Sequence, residues 1–187
     1  MNKIIFSILI WLILSVQAIG YENGTLLFSK TNLLPGRIAA KFIAPGNFQH
    51  VGIIFDGYVY ESVWPRAKRS TVKRAMLPGW SYWAIEPVTP YTTKELRQMR
   101  QEACDNLGKP YRVKNFLWPR TKETYGTWCS QYVREVLNAS GRYQFTWNHG
   151  WEPQGLYNPL MNKCKCKRCN VPKYRKINNL WRFKNVD

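Results

Sequence analysis

Cys129 lies in Gly126-Thr127-Trp128-Cys129-Ser130-Gln131, at the predicted start of a helix over 128–138. A thiol there meets the unpaired N–H groups and the positive dipole end of the helix, and both favour thiolate. The backbone N–H groups of Cys129 and Ser130 can also stabilise an oxyanion. A nucleophilic cysteine is built this way, although a small buried thiol at a helix start is the plain structural alternative. Such a nucleophile needs a base, and the chain has two histidines. His50 opens a β-branched run after a loop containing Gly46, where its ring can face a cleft. His149, in Trp147-Asn148-His149-Gly150-Trp151, reads as a loop histidine with no catalytic part. A third group would orient the imidazole and stabilise its cation. Glu61 suits that role by register. Pairing Phe55 with Tyr58 across the Asp56-Gly57 turn sets His50 opposite Val63. Glu61, two residues from Val63, is then a same-face diagonal neighbour of His50.

The elements that must hold these groups can be read from periodicity and punctuation. Gly24 to Ser29 forms an opening strand, and His50–Phe55 with Tyr58–Val63 forms a hairpin with a two-residue turn. Trp64 to Arg74 reads as a basic surface segment, and Ser81 to Val88 as a further strand ended by Pro87 and Pro90. A helix begins with Thr92 as N-cap and stops at Gly108. Tyr132, Val133, Val136 and Leu137 give the cysteine helix its apolar face, and Gly141 closes it. Residues 109–127 and 142–187 read as irregular. The expected class is α+β, an antiparallel sheet packed against the helix that carries the cysteine.

Phe48-Gln49-His50-Val51-Gly52-Ile53-Ile54, then Val59-Tyr60-Glu61-Ser62, then Trp128-Cys129-Ser130-Gln131-Tyr132-Val133 resembles the YiiX/YebB-like family. These are permuted papain-like cysteine hydrolases of the NlpC superfamily, with histidine before cysteine. Gly24-Thr25-Leu26-Leu27-Phe28, Gly108-Lys109-Pro110-Tyr111 and Glu152-Pro153-Gln154-Gly155-Leu156-Tyr157 resemble further family stretches. The departures are Thr25 and Arg112, where the family usually has Asp, and Tyr132 in place of Leu. The similarity spans roughly residues 22–160. It implies a permuted papain-like fold with Cys129 as nucleophile, His50 as base and Glu61 orienting His50. It also implies action on amide or ester bonds, peptidoglycan peptides included, or acyl transfer as in lecithin-retinol acyltransferase-type relatives.

Composition sets the surroundings. The chain has 187 residues, 45% of them hydrophobic and 21% charged, which excludes wholesale disorder and suits one domain. Met1 to Ala18 joins Lys3, an apolar run and small residues at Val16 and Ala18, the pattern of a secretory signal peptide. An uncleaved membrane anchor is the alternative. The organisation expected is a leader over 1–18, a hydrolase domain over 19–162 and a basic, cysteine-containing tail over 163–187. The net charge of +17 points to polyanions. Export favours an anionic cell-wall polymer or a lipid surface over nucleic acid. No cofactor is expected, and oligomeric state is not readable. With Cys129 free, four of the five cysteines remain: Cys104, Cys164, Cys166 and Cys169. These suit disulfides in an exported protein better than an incomplete zinc or copper site. Two glycosylation sequons occur, Asn23-Gly24-Thr25 and Asn138-Ala139-Ser140, the second at a helix end and so expected to be accessible. The competing class is a non-catalytic cationic binding protein using the same scaffold.

Overall fold

The computed structural model describes residues 20–33, 46–111, 127–145, 152–161 and 174–177. The expected leader, Arg112, His149, Cys164, Cys166 and Cys169 lie outside these residues.

Among the described residues, six strands form one sheet: β1 (Thr25–Thr31), β2 (His50–Phe55), β3 (Tyr58–Ser62), β4 (Ala67–Thr71), β5 (Trp80–Pro87) and β6 (Tyr174–Lys176). Their order is β4-β3-β2-β1-β5-β6, and every neighbouring pair is antiparallel. Among the described residues the helices are α1 (Val72–Ala75), α2 (Thr93–Asp105), α3 (Cys129–Ala139) and α4 (Pro153–Leu160).

The central strands read as almost unbroken apolar runs because both faces of the sheet are covered. Alternate residues of one face, Leu26, Phe28, Val51, Ile53, Phe55 and Ile85, join the main core. They share it with Met99 and Ala103 of α2 and with Val133, Val136 and Leu137 of α3. The other alternation, Leu27, Ile54, Val59 and Ala84, forms a smaller cluster under Tyr21, Val72, Ala75 and Met76. Each large side chain buried in this way stabilises the fold by about 1.5–3 kcal/mol.

The hairpin has the expected register, with Phe55 opposite Tyr58, Ile54 opposite Val59 and Ile53 opposite Tyr60. Its turn uses positive φ at both Asp56 (50°) and Gly57 (76°), as a tight two-residue hairpin requires. Asn23 braces it, accepting from the Asp56 backbone N–H at 2.7 Å. At α2 the Thr92 N-cap closes a full capping box with Glu95.

Three segments depart from the sequence reading. The segment 64–74 is exposed as expected, yet it holds strand β4 and the short helix α1. Residues 153–160 are helical where prolines suggested irregular chain. Pro153 sits in the first helical turn, where its missing N–H costs nothing, and Pro159 lies one residue from the end. Within 163–187, Tyr174–Lys176 adds a sixth strand against Ile85, Glu86 and Pro87. Tyr174 is buried, and its hydroxyl shares a 2.6 Å hydrogen bond with that of Tyr91.

Candidate active site around Cys129

β2 delivers His50 as its first residue, and β3 delivers Glu61 from the neighbouring strand. The imidazole Nε2 lies 2.8 Å from Glu61 Oε2, the diagonal contact that the register predicts. Gly52 makes this possible. A Cβ there would come within 2.6 Å of Val59 Cγ1, 3.3 Å of the Tyr60 carbonyl oxygen and 3.4 Å of Glu61 Cβ. Only a residue without a side chain leaves Val59 and the Tyr60 carbonyl in place on the strand that carries Glu61. The Glu61 side chain is 7% exposed and that of His50 20%, so the pair is sheltered but reachable. On the far side of Glu61, Lys68 of β4 brings Nζ to 4.0 Å from Oε1, directly across the β3–β4 register.

Cys129 is the first residue of α3 and is buried, with its thiol free. It is also paired with the His50 imidazole. Burial works against a charge on His50, but hydrogen bonds to Cys129 and Glu61 outweigh it and push its pKa up to about 10. The ring is thus held between a thiol and a carboxylate, an arrangement that favours the imidazolium.

The start of α3 is fixed from three sides. Ser62 Oγ donates to the Thr127 carbonyl at 3.0 Å, and Thr127 N–H donates to the Pro110 carbonyl at 3.0 Å. The buried Trp128 indole donates to Ser130 Oγ at 2.9 Å. Trp128 occupies the N-cap with extended backbone, and no side chain caps the helix. The helix start therefore has no side-chain acceptor for its first-turn N–H groups.

Two neighbours were not singled out from sequence. Burial and the adjacent Cys129 push the Tyr111 phenol up. Burial brings Arg134 down to about 10, against the attraction of Glu152 and Cys129. Tyr111 closes the Gly108–Tyr111 stretch, so its motif was visible although its role was not. Nothing in the spacing of α3 marks Arg134, a charged residue buried on its inner side.

Other expectations resolve differently. Cys104 is a free, exposed thiol, and the cysteines expected to pair with it, Cys164, Cys166 and Cys169, lie outside the described residues. The other cysteine among the described residues, Cys129, is engaged with His50. The sequon at Asn138 is also not openly accessible. Its amide donates to the Phe145 carbonyl at 3.0 Å and accepts from the Phe145 N–H at 2.8 Å, while Ser140 is buried. Asn23 is similarly tied to the Asp56 turn.

No protein-family model matches the sequence, and no curated protein matches it. The fold is similar to that of a solved structure, the metalloprotein YiiX from Escherichia coli O157:H7, with a TM-score of 0.56. The likeness covers 86% of this chain and 98% of that one at 17% identity. It supports the resemblance to the YiiX-like family carried by the sequence motifs, and at this identity what is shared is the fold: an α+β molecule with an antiparallel sheet.

Proposed function

We propose that the protein is a cysteine hydrolase that cleaves amide or ester bonds through Cys129, His50 and Glu61. The observation that carries this reading is the chain of contacts Glu61–His50–Cys129, with the cysteine at an uncapped helix start. Cys129 Sγ attacks the substrate carbonyl carbon, and the oxyanion formed is met by N–H groups at the start of α3. The carbon–nitrogen or carbon–oxygen bond breaks as His50 gives its proton to the leaving amine or alcohol. A thioester on Cys129 remains. Water, with His50 taking its proton, or another acceptor then releases the acyl group and returns Cys129 and His50 to their starting state. Glu61 keeps the ring turned toward sulfur and stabilises its charge. A peptide amide of the cell wall and an acyl ester of a lipid both fit this chemistry.

The metal named for YiiX is not carried over. Among the described residues, no group of three His, Cys, Asp or Glu side chains is placed to hold an ion. His50 gives Nε2 to Glu61 and its ring also serves Cys129, so these donors are strung in a row and do not converge on one point. No step is therefore routed through a metal.

The test is Cys129→Ala against wild type on cell-wall peptides and acyl lipids, with alkylation of the thiol alongside. Hydrolysis should fall at least a thousandfold in the variant. Alkylation of wild-type Cys129 at pH 7 should be fast and slow about tenfold in His50→Ala. A Cys129 inert to small alkylating reagents at every pH would end the hydrolase reading and favour the cationic binding protein.

A further inference from the structure

We infer that the outer edge of the sheet, from Trp64 to Leu77, is a docking surface for an anionic phospholipid bilayer. This segment holds Arg66, Lys68, Arg69, Lys73 and Arg74 and no Asp or Glu. All five basic side chains are exposed. β4 is the terminal strand of the sheet order, and although Gly108 and Lys109 bond to its first residue, Ala67, no strand lies outside Lys68–Thr71 among the described residues. Its five residues span roughly 17 Å of chain. Such a strip attracts an anionic surface with about 1 kcal/mol, or about fivefold, for each basic residue near the headgroups.

Charge alone would fit any polyanion. The apolar ends of the strip select a bilayer. Trp64 stands 74% exposed at one end and Leu77 54% exposed at the other. A soluble polyanion leaves both in water, whereas the headgroup boundary takes up indole rings and aliphatic side chains between basic residues. The strip also leads to the candidate site. Lys68 reaches Glu61, and the Pro65 carbonyl accepts from the Tyr111 N–H at 2.9 Å beside Cys129. A protein docked along this edge would hold the Cys129 site beside the lipid surface. That consequence rests on the hydrolase reading; the docking itself does not.

The experiment is vesicle sedimentation of the full chain carrying Cys129→Ala, so that turnover plays no part. Vesicles of phosphatidylcholine alone are compared with vesicles containing about 30% phosphatidylglycerol, at about 0.1 M salt. Partition should require the anionic lipid. Reversing the strip with Arg66→Glu, Lys73→Glu and Arg74→Glu should lower it at least tenfold. An equal reversal elsewhere, Lys94→Glu, Arg97→Glu and Lys176→Glu, should change it by no more than about twofold. Trp64→Ala should weaken it about threefold at every salt concentration. The single variants Arg66→Glu and Arg74→Glu, each expected to lose about fivefold, carry the test if the triple variant does not fold. The inference is overturned if both triples lose equally or if neutral vesicles bind as well. It is also overturned if the strip variants lose a soluble polyphosphate while keeping vesicles. Failure here would leave Cys129 alkylation in the wild type untouched, so the two readings fail separately.

Discussion

Gly52 carries more of the candidate site than its lack of a side chain suggests. Gly52→Ala would drive a methyl into Val59, a β-branched residue with little rotameric freedom, and against Glu61. It should cost about 1–3 kcal/mol in urea unfolding and slow Cys129 alkylation at pH 7, whereas a similar cost placed elsewhere in the core should spare the alkylation rate. His50 links the site to stability through pH. Its folded pKa of about 10 lies above the ordinary 6.5, so the folded chain holds this proton more tightly than the unfolded chain does. The stabilisation is therefore complete below pH 6.5 and is lost as pH rises toward about 10. Urea midpoints should show wild type exceeding His50→Gln by more at pH 6 than at pH 10. The three principal residues were legible in sequence because each left a local mark: a helix start, a strand start and a register count from a turn. Arg134 left none, and Tyr111 left only its motif, since their approach to Cys129 depends on how segments far apart in sequence pack.

At the scale of elements, strength of pattern decided what could be read. β2 and β3 announce themselves through β-branched runs around Asp56-Gly57, and α2 through Thr92 and Glu95. β4, by contrast, is Ala-Lys-Arg-Ser-Thr, mostly exposed, and it is a strand because β3 offers it a partner. α4 was hidden by its own prolines. The start of α2 shows how one acid can join elements. Glu95 caps the helix and receives Arg142, whose guanidinium also donates to the Thr89 and Pro90 carbonyls at 2.9 and 2.7 Å. Arg142 holds the Glu95 carboxyl down at about 2, with burial opposing. This contribution is present above about pH 4.5 and is lost as pH falls toward 2. Glu95→Gln should therefore lower the thermal midpoint at pH 7, and the difference from wild type should shrink as pH approaches 2. Thr92→Ala should cost about 1 kcal/mol in chemical unfolding.

Over the whole molecule, the general class followed from sequence while the closing strand did not. Nothing local marks Tyr174–Lys176 as sheet, because its pairing and its buried phenol are supplied by distant partners. Tyr91, Tyr143 and Tyr174 share hydroxyl contacts in the interior, and Tyr174 also donates to the Gly24 carbonyl at 3.3 Å. Tyr174→Phe leaves Tyr91 without one of these partners and should cost about 1–3 kcal/mol, read as a lower urea midpoint with an unchanged slope. The cluster also ties residues 150 positions apart. A nascent chain therefore meets its opening strand and its hairpin early, but the tyrosine cluster must wait until residue 174 has left the ribosome. Until then the phenols of Tyr91 and Tyr143 lack their third member and one end of β5 lacks its neighbour. The order of synthesis thus withholds this closure until residue 174 has been made.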